Sequence, residues 1–600
     1  MRRFPFAPSV VLVFALSVAS DADAGRDGRS RSNTDVSPTY RIEPNVRADH
    51  HDHSGASPGD VRSLDGSGNH LDDPERNAAG TPLLRSVEAD YADGVSFPAG
   101  AERPAPRAIS NAVHAQDDLV PNPLGTSDFL WQWGQFLDHD LDLTEGVDPP
   151  EPLPIAVPLG DLHFDPTASG SATIPFNRSI HDPRSGTDRA NPREQLNEIT
   201  GWIDASNVYG SDPERAAALR ANDGTGRLAT GPGGLLPDDD GTLPNATGGT
   251  GETLFVAGDV RANEQLGLIA LHTLFVREHN RLADEIRRLD PTLDGDAIYE
   301  RARRRVGALM QIITYEEFLP ALLGRNAIAP YAGYDPEVDA RIANEFSTAA
   351  FRFGHSALPP RLLRLDSRLR EMPEGHVPLR DAFFHPDRIR FEGGIDPILR
   401  GLAHQRHQRI DVFVIDDVRN FLFGPPGAGG FDLVSLNIQR GRDHGLARYD
   451  DVRVAYGLPR VSRFDEISPD PAIRARLASV YREVDEIDLW VGGLAEDPVP
   501  GAHVGPLVRA ILIEQFTALR DGDRFWYERA LGRRELDRLR GTRLSDVIRR
   551  NTAIRGEIPD DVFRVAPRDR RRSSRRHRPA SVRAPDRLEF ELVMHDPDQD

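Results

Sequence analysis

The chain has 600 residues, enough for a large core and more than one domain. Its formal charge of −21 argues against general binding to nucleic acid or to anionic membranes. All 73 basic residues are Arg and there is no Cys, which excludes a lysine Schiff base, a P-loop lysine, disulfides, thiolate metal sites and iron–sulfur clusters.

In chain order, residues 1–24 read as a secretory signal: Arg2 and Arg3, an apolar run over 10–18, and a small-x-small site at Ala22-Asp23-Ala24. Export follows, with an uncleaved anchor as the alternative. The apolar run is short for a membrane span and no other candidate is seen, so no span is expected after signal cleavage. Residues 25–59 are polar and read as a disordered leader, and the metal-binding potential of His50-His51-Asp52-His53 is set aside as an incidental polar tract. Asp65-Gly66-Ser67-Gly68-Asn69 resembles half of a calcium loop, but its twelfth position is Arg76, so a plain turn is expected.

Residues 60–566 read as one large, mainly α body with few short strands. Helical periodicity covers 127–142, 213–221, 264–290, 296–320, 337–355, 470–482, 505–520 and 543–551, to within about 2–4 residues. Asp212-Pro213 is a helix start with a cap followed by proline, and Pro359-Pro360 ends the helix before it. Residues 225–250 are rich in Gly and Asp and read as surface loop. Residues 567–600 form an Arg-rich tail, read as a solvated linker, with one possible added strand over 588–594.

Five stretches concentrate chemistry. In Leu130–Asp142, helical spacing puts Gln135, Asp138, His139 and Asp142 on one face, with Asp140 turned toward a second site. This is either a functional face or the polar side of an amphipathic helix. In Thr200–Ser206, oxygen groups at alternate positions can converge on a hard cation from a loop, although alternation also fits a strand. Gly258–Gln265 leads into a helix whose His272 and His279 read as structural. Phe351–His355 ends a helix with Ile342, Phe346, Ala350 and Phe353 inward, and Gly354 leaves room for a flat ligand beside His355. Asn437–Gly445 packs donors and acids into nine residues.

Together these stretches resemble the animal-type haem peroxidases of the peroxidase–cyclooxygenase superfamily, the peroxidasin-like members most of all. The resemblance covers about 60–566 and includes Gly80–Leu84, Asp90–Val95, Pro106–Val113, Arg277–Ala283, Val484–Pro500, Val504–Val508 and Asp521–Tyr527. It implies the animal haem-peroxidase fold, a large helical domain with haem b between core helices, and a structural Ca²⁺. His355 matches the proximal iron ligand and Asn437 the acceptor for its other nitrogen. His139 matches the distal base, Arg261 the distal cation, and Gln135 the group that orders distal water or halide. Asp138 and Glu264 match two carboxylates that form esters with the haem. Asp140, Thr200, the carbonyl of Trp202, Asp204 and Ser206 match the calcium shell. Asp140 beside His139 would tie that shell to the distal base.

The implied function is a secreted peroxidase in which H₂O₂ oxidises the haem and halides, pseudohalides or small aromatic donors return the electrons. One rival is a fatty-acid dioxygenase of the same superfamily. Such oxygenases carry a Tyr three residues before the proximal His, where this chain has Arg352, a cofactor-contacting position. The other rival is a non-catalytic, calcium-stabilised adhesion module. Gln265 stands where some mammalian members have a Met that forms a third haem link.

Overall fold

A computed structural model describes residues 60–247 and 250–566. The expected signal, the leader with its His cluster, and the tail with its candidate strand lie outside the described residues. Residues 60–565 belong to one compact unit; a second begins at Ala566.

Helix α1 (Phe129–Leu141) runs through the middle of the core. Phe129, Leu130, Trp131, Trp133, Phe136, Leu137 and Leu141 are all buried, and they point to more than one side. An apolar helix surface of that width belongs to an interior helix, not to a surface one. Helix α2 (Leu266–Leu289) is about 36 Å long at 1.5 Å per residue and packs along α1. Phe136 stacks on Phe275 at 5.2 Å, and the Trp133 ring lies 5.8 Å from Phe275. The Gln265 side chain caps α2 by accepting from Gly267 N at 2.6 Å. His272 and His279 are both buried on α2. His279 has structural partners, Tyr209 Oη at 2.9 Å and Gly226 O at 2.9 Å.

Helix α3 (Gly295–Ile313) follows, capped by Asp294. It continues through a π-helical turn, Thr314–Phe318, into Leu319–Leu323. Pro320 has no N–H and its ring crowds the carbonyl four residues back, and the wider turn relieves that crowding. Against the expectation of no further candidate, the stretch Gly295–Leu323 is long and apolar enough to cross a membrane. In this fold 78% of its apolar window is buried in protein, as for a core helix. Helix α4 (Leu433–Asp443) starts at Asp432, whose carboxylate accepts from Val434 N and Ser435 N. Helix α5 (Pro506–Asp521) closes the core beneath Phe346 and Phe351, both of which meet the Phe516 ring at 5.6 Å.

Three expectations change. The helix expected over 337–355 is broken: residues 344–348 are helical, Ala349 leaves helical geometry at φ −133°, ψ −67°, and a 3-10 turn, Ala350–Phe353, leads into Gly354–Ala357. Before it, Leu84 bridges this strand-like segment through Leu84 N to Ile342 O and Asn344 N to Leu84 O. Those tertiary bonds replace a helical ladder over 337–343. The loop 225–250 is only partly at the surface. Leu228 and Leu236 are buried, and Asn280 of α2 holds the Leu228 backbone at both its N–H and its carbonyl. The helices Asp396–His404, Leu433–Asp443 and Leu489–Ala495 were not anticipated. Strand content among the described residues is three antiparallel pairs, with Thr81 opposite Asn197, Ile155 opposite Ile174, and Arg361 opposite Pro378. Asp65–Asn69 forms a turn held by Ser67 N and Oγ on Asp65 Oδ1. Asp212 caps its helix from Arg215 N, and the chain leaves helical geometry at Leu358 before Pro359-Pro360.

Candidate active site

One cavity of about 260 Å³ gathers residues from four distant stretches. Gln135, Asp138 and His139 come from α1, Arg261, Glu264 and Gln265 from the segment before α2, Arg352, Gly354 and His355 from the broken helix, and Phe383, Leu422 and Phe423 from loops at its wall.

His355 is the one imidazole on the Gly354–Ala357 side. Its Nδ1 lies 2.8 Å from Asn437 Nδ2 of α4, and Arg352 Nη1 donates to Asn437 Oδ1 at 3.2 Å. Arg352 Nε donates to Ser347 O at 2.9 Å. Burial and the Arg352 charge hold His355 down to about 3, so it is neutral at pH 7. Neutral imidazole is the form that binds iron. A cofactor could approach here without a clash, because a Cβ on Gly354 would meet nothing within 4 Å.

The Asn437 contact differs from the expected one. As the amide stands it donates to Nδ1, because Oδ1 is taken by Arg352. An imidazole that binds iron through Nε2 carries its proton on Nδ1 and needs an acceptor there. A half-turn of the amide would bring Oδ1 to that place but would set Nδ2, a donor, against the Arg352 donor, so His355 and Arg352 compete for the single amide oxygen.

On the α1 side His139 is buried. Its Nδ1 is 3.4 Å from Asp259 Oδ1, and its Nε2 is 3.9 Å from Glu264 Oε2. Burial, then the charge of Arg261, keep it well below the ordinary histidine value and therefore neutral. Arg261 is clamped by Asp259, through Nε at 2.9 Å and Nη2 at 2.8 Å, and Nη2 also donates to Asp142 O at 3.0 Å. Burial alone would raise Asp259, but Arg261 and His139 outweigh it and hold the carboxyl below the usual carboxylate range.

Glu264 is pushed up to about 7 by burial, and Asp138 well above its ordinary value by burial and then by Asp142. Gln135 Nε2 donates to Glu264 Oε2 at 2.9 Å, while Gln265 Nε2 donates to Gln132 Oε1 at 2.7 Å and to Gln135 Oε1 at 3.0 Å. Asp142, which ends α1, still faces Asp138, as the spacing requires, but it lies behind the cavity wall and accepts from Ser347 Oγ at 2.8 Å.

Asp140 points away, as its 100° rotation requires, onto the loop Thr200–Ser206. Its Oδ2 accepts from Asp204 N at 3.2 Å and Ala205 N at 3.1 Å, and its Oδ1 from Ser206 Oγ at 3.0 Å and Asn207 N at 3.2 Å. Thr200 Oγ1 donates to Asp204 Oδ2 at 3.1 Å, and Trp202 N to Thr200 Oγ1 at 3.3 Å. Burial and then the Asp204 charge push Asp140 up to about 8. Two buried carboxylates in mutual repulsion, among hydroxyl and carbonyl oxygens, form a donor set suited to a hard cation. Among the described residues no three Asp, Glu or His side chains converge on a metal position. A cation here would therefore draw on the hydroxyls and the Trp202 carbonyl as well as on Asp140 and Asp204.

Asp259 and Asn207 were not singled out from sequence. The signal for Asp259 was its place two residues before Arg261 in a glycine-led turn.

The model of the animal haem peroxidase family matches residues 61–563. Thyroid peroxidase of Sus scrofa is 38% identical over 84% of this chain and 60% of its own length. The peroxidasin homolog of Mus musculus is 39% identical over 84% of this chain and 37% of its own length, so the chain spans less than two thirds of either relative. The solved structure of peroxidase A from Dictyostelium discoideum superposes with a TM-score of 0.79 at 34% identity, covering 84% of this chain and 99% of that one. A family match across nearly the whole described body, carried by a fold that gathers the same stretches into one cavity, settles the kinship: this chain belongs to the animal haem peroxidase family.

Proposed function

We propose that this chain holds haem b on His355 and reduces H₂O₂, with halides, thiocyanate or small aromatic molecules as electron donors. The observation that carries the reading is one cavity lined by two neutral imidazoles, His355 and His139, with a clamped guanidinium, Arg261, beside the second. Bound haem would supply the two electrons that, with two protons, convert H₂O₂ to two waters, and the donors would return them. His139, neutral at pH 7, takes the first peroxide proton on its cavity-facing nitrogen and passes it to the departing oxygen. Arg261 lies where negative charge develops as the O–O bond breaks, and its bond to Asp259 fixes it before the reaction starts. Gln135, held between Gln265 and Glu264, presents its amide to water or halide.

Asp138 and Glu264 are proposed as ester-forming groups. Both are half-buried carboxyls raised toward the neutral form, and an ester carries no charge to desolvate. Asp140, Thr200, Trp202, Asp204 and Ser206 are proposed to hold Ca²⁺. One Ca²⁺ per chain is expected by elemental analysis, and prolonged chelation should lower the melting temperature, because a ligand bound only to the native state stabilises it. A metal-free preparation of full stability and activity would remove the site. Export is proposed from the N-terminal sequence alone; mass spectrometry of the secreted protein should find Gly25 first.

The test of function is the UV–visible spectrum before and after H₂O₂, followed by halogenation of a cyclic diketone with each halide. A Soret band that responds to peroxide is expected, with iodide, thiocyanate, bromide and phenols oxidised and chloride oxidised poorly at pH 7. The Gln265 amide is committed to the α2 cap and to two glutamines, and it cannot make the positively charged sulfur link of a Met, which would withdraw electrons from the ring. Efficient chlorination would show that this position does not limit the enzyme. Arg352 cannot form a tyrosyl radical, so oxygen uptake driven by polyunsaturated fatty acid without peroxide turnover would favour the dioxygenase. A purified protein without a Soret band would favour the adhesion module.

A further inference from the structure

The reading above uses His139 and Arg261 but leaves open what sets their geometry. His139 Nδ1 is buried and has no hydrogen-bond partner within normal reach. The nearest acceptor is Asp259 Oδ1 at 3.4 Å, the same oxygen that accepts from Arg261 N at 2.8 Å and Arg261 Nε at 2.9 Å. Its partner oxygen accepts Arg261 Nη2 at 2.8 Å. One buried carboxylate therefore faces both groups.

Resting on that reading, we propose that Asp259 is the positioning residue of the distal site: it draws the His139 proton onto Nδ1, which leaves Nε2 unprotonated toward the cavity, and it fixes the Arg261 fork. A histidine acts as a base only from the nitrogen that lacks the proton, and the partner of the other nitrogen selects which one that is. A carboxylate in that place both orients the ring and stabilises the imidazolium formed after proton transfer. The 3.4 Å separation fits a contact that tightens when the base is in use.

Asp259 is itself anchored to the Asp140 loop. Asp259 N donates to Asn207 O at 3.1 Å, and Asn207 N donates to Asp140 Oδ1 at 3.2 Å. Asn207 Nδ2 reaches back to Phe136 O of α1 at 2.6 Å. Gly258 makes the approach possible, since a Cβ there would lie 2.4 Å from Ser206 O and 2.5 Å from Tyr209 N. His139 and Asp140 leave α1 in different directions, and this path joins them again through Asp259.

The test uses the haem-loaded protein and cyanide, followed by the Soret shift, because it reads proton removal without turnover. HCN would give its proton to His139 Nε2 as cyanide binds to the haem that His355 would hold. Cyanide association should slow in Asp259→Asn by at least ~10-fold, a smaller loss than removing the base itself. Most of that loss should disappear in the His139→Ala background, since a group that acts through His139 has nothing left to position. Asp259→Glu, which keeps the charge, should recover part of the rate. Wild-type association in Asp259→Asn, or an undiminished loss in the His139→Ala background, would overturn the proposal. If His139→Ala alone associates at the wild-type rate, the reading of His139 as base fails instead. Should Asp259→Asn not retain haem, neutron diffraction of the wild-type protein decides: deuterium on His139 Nδ1 supports the proposal, and deuterium on Nε2 alone overturns it.

Discussion

In His355→Ala the Soret band of the purified protein should fall to a residual level while the fold persists. Among the described residues, His355 and His139 are the only imidazoles that line the cavity, and they do not serve it equally. His355 sits behind Gly354, where a flat ligand meets no side chain, and its Nδ1 is held by Asn437. His139 is enclosed by Asp259, Glu264 and Arg261, and an iron bound to it would displace the base from its work. The apolar walls from Leu358, Leu379, Val418 and Leu433 give haem some affinity without an axial bond, so a trace of absorbance is expected. Added imidazole should restore part of the band by filling the space left by the side chain. The absorbance ratio of the Soret band to 280 nm, with circular dichroism as the check on folding, measures this. An unchanged ratio would remove His355 as the iron ligand.

His139→Ala should give the opposite pattern, with haem retained and the reaction with H₂O₂ slowed by at least ~10²-fold, the usual scale for a general acid–base group. Burial and the Arg261 charge keep His139 neutral, so it is ready to accept a proton throughout the neutral range. No other cavity group combines that state with that position. Glu264 is pushed up to about 7 with its Oε2 taken by Gln135 Nε2, and burial holds Asp138 well above the ordinary carboxylate range and so protonated. Arg261 remains in the variant and continues to stabilise the departing charge, which sets a floor under the loss. Stopped-flow mixing with H₂O₂ measures the rate, and a wild-type rate would mean that another group takes the proton.

Much of this site is visible along the chain because it is built from local patterns. Helical spacing in Leu130–Asp142 separates the His139 face from Asp140 by 100° per residue, and the structure sends those two side chains to different places. The Asp212-Pro213 start obeys rules that act within a single turn. The loop Thr200–Ser206 advertised its oxygens at alternate positions, though whether it was strand or loop was decided only by Asp140, which draws in the backbone N–H groups of Asp204, Ala205 and Asn207.

The remainder depended on contacts between distant segments, which no window of sequence contains. The helix Leu433–Asp443 is short and polar, and its cap at Asp432 is fixed by Arg107, 325 residues away in sequence, so the stretch read only as a cluster of donors. The helix expected over 337–355 breaks because Leu84 takes the backbone hydrogen bonds of Ile342 and Asn344. Asp142 keeps the neighbourhood of Asp138 that its spacing gives it, but only the packing supplies its partner Ser347, 205 residues away in sequence. Asp259 lies 120 positions from His139, and nothing local marks it as the acceptor facing that ring. The sequence by itself determined the helical class, the available chemistry and the local faces, because periodicity and composition act over a few residues. Only the tertiary structure decided which buried polar group faces which, because a desolvated donor or acceptor takes whatever partner the packing brings within about 3 Å.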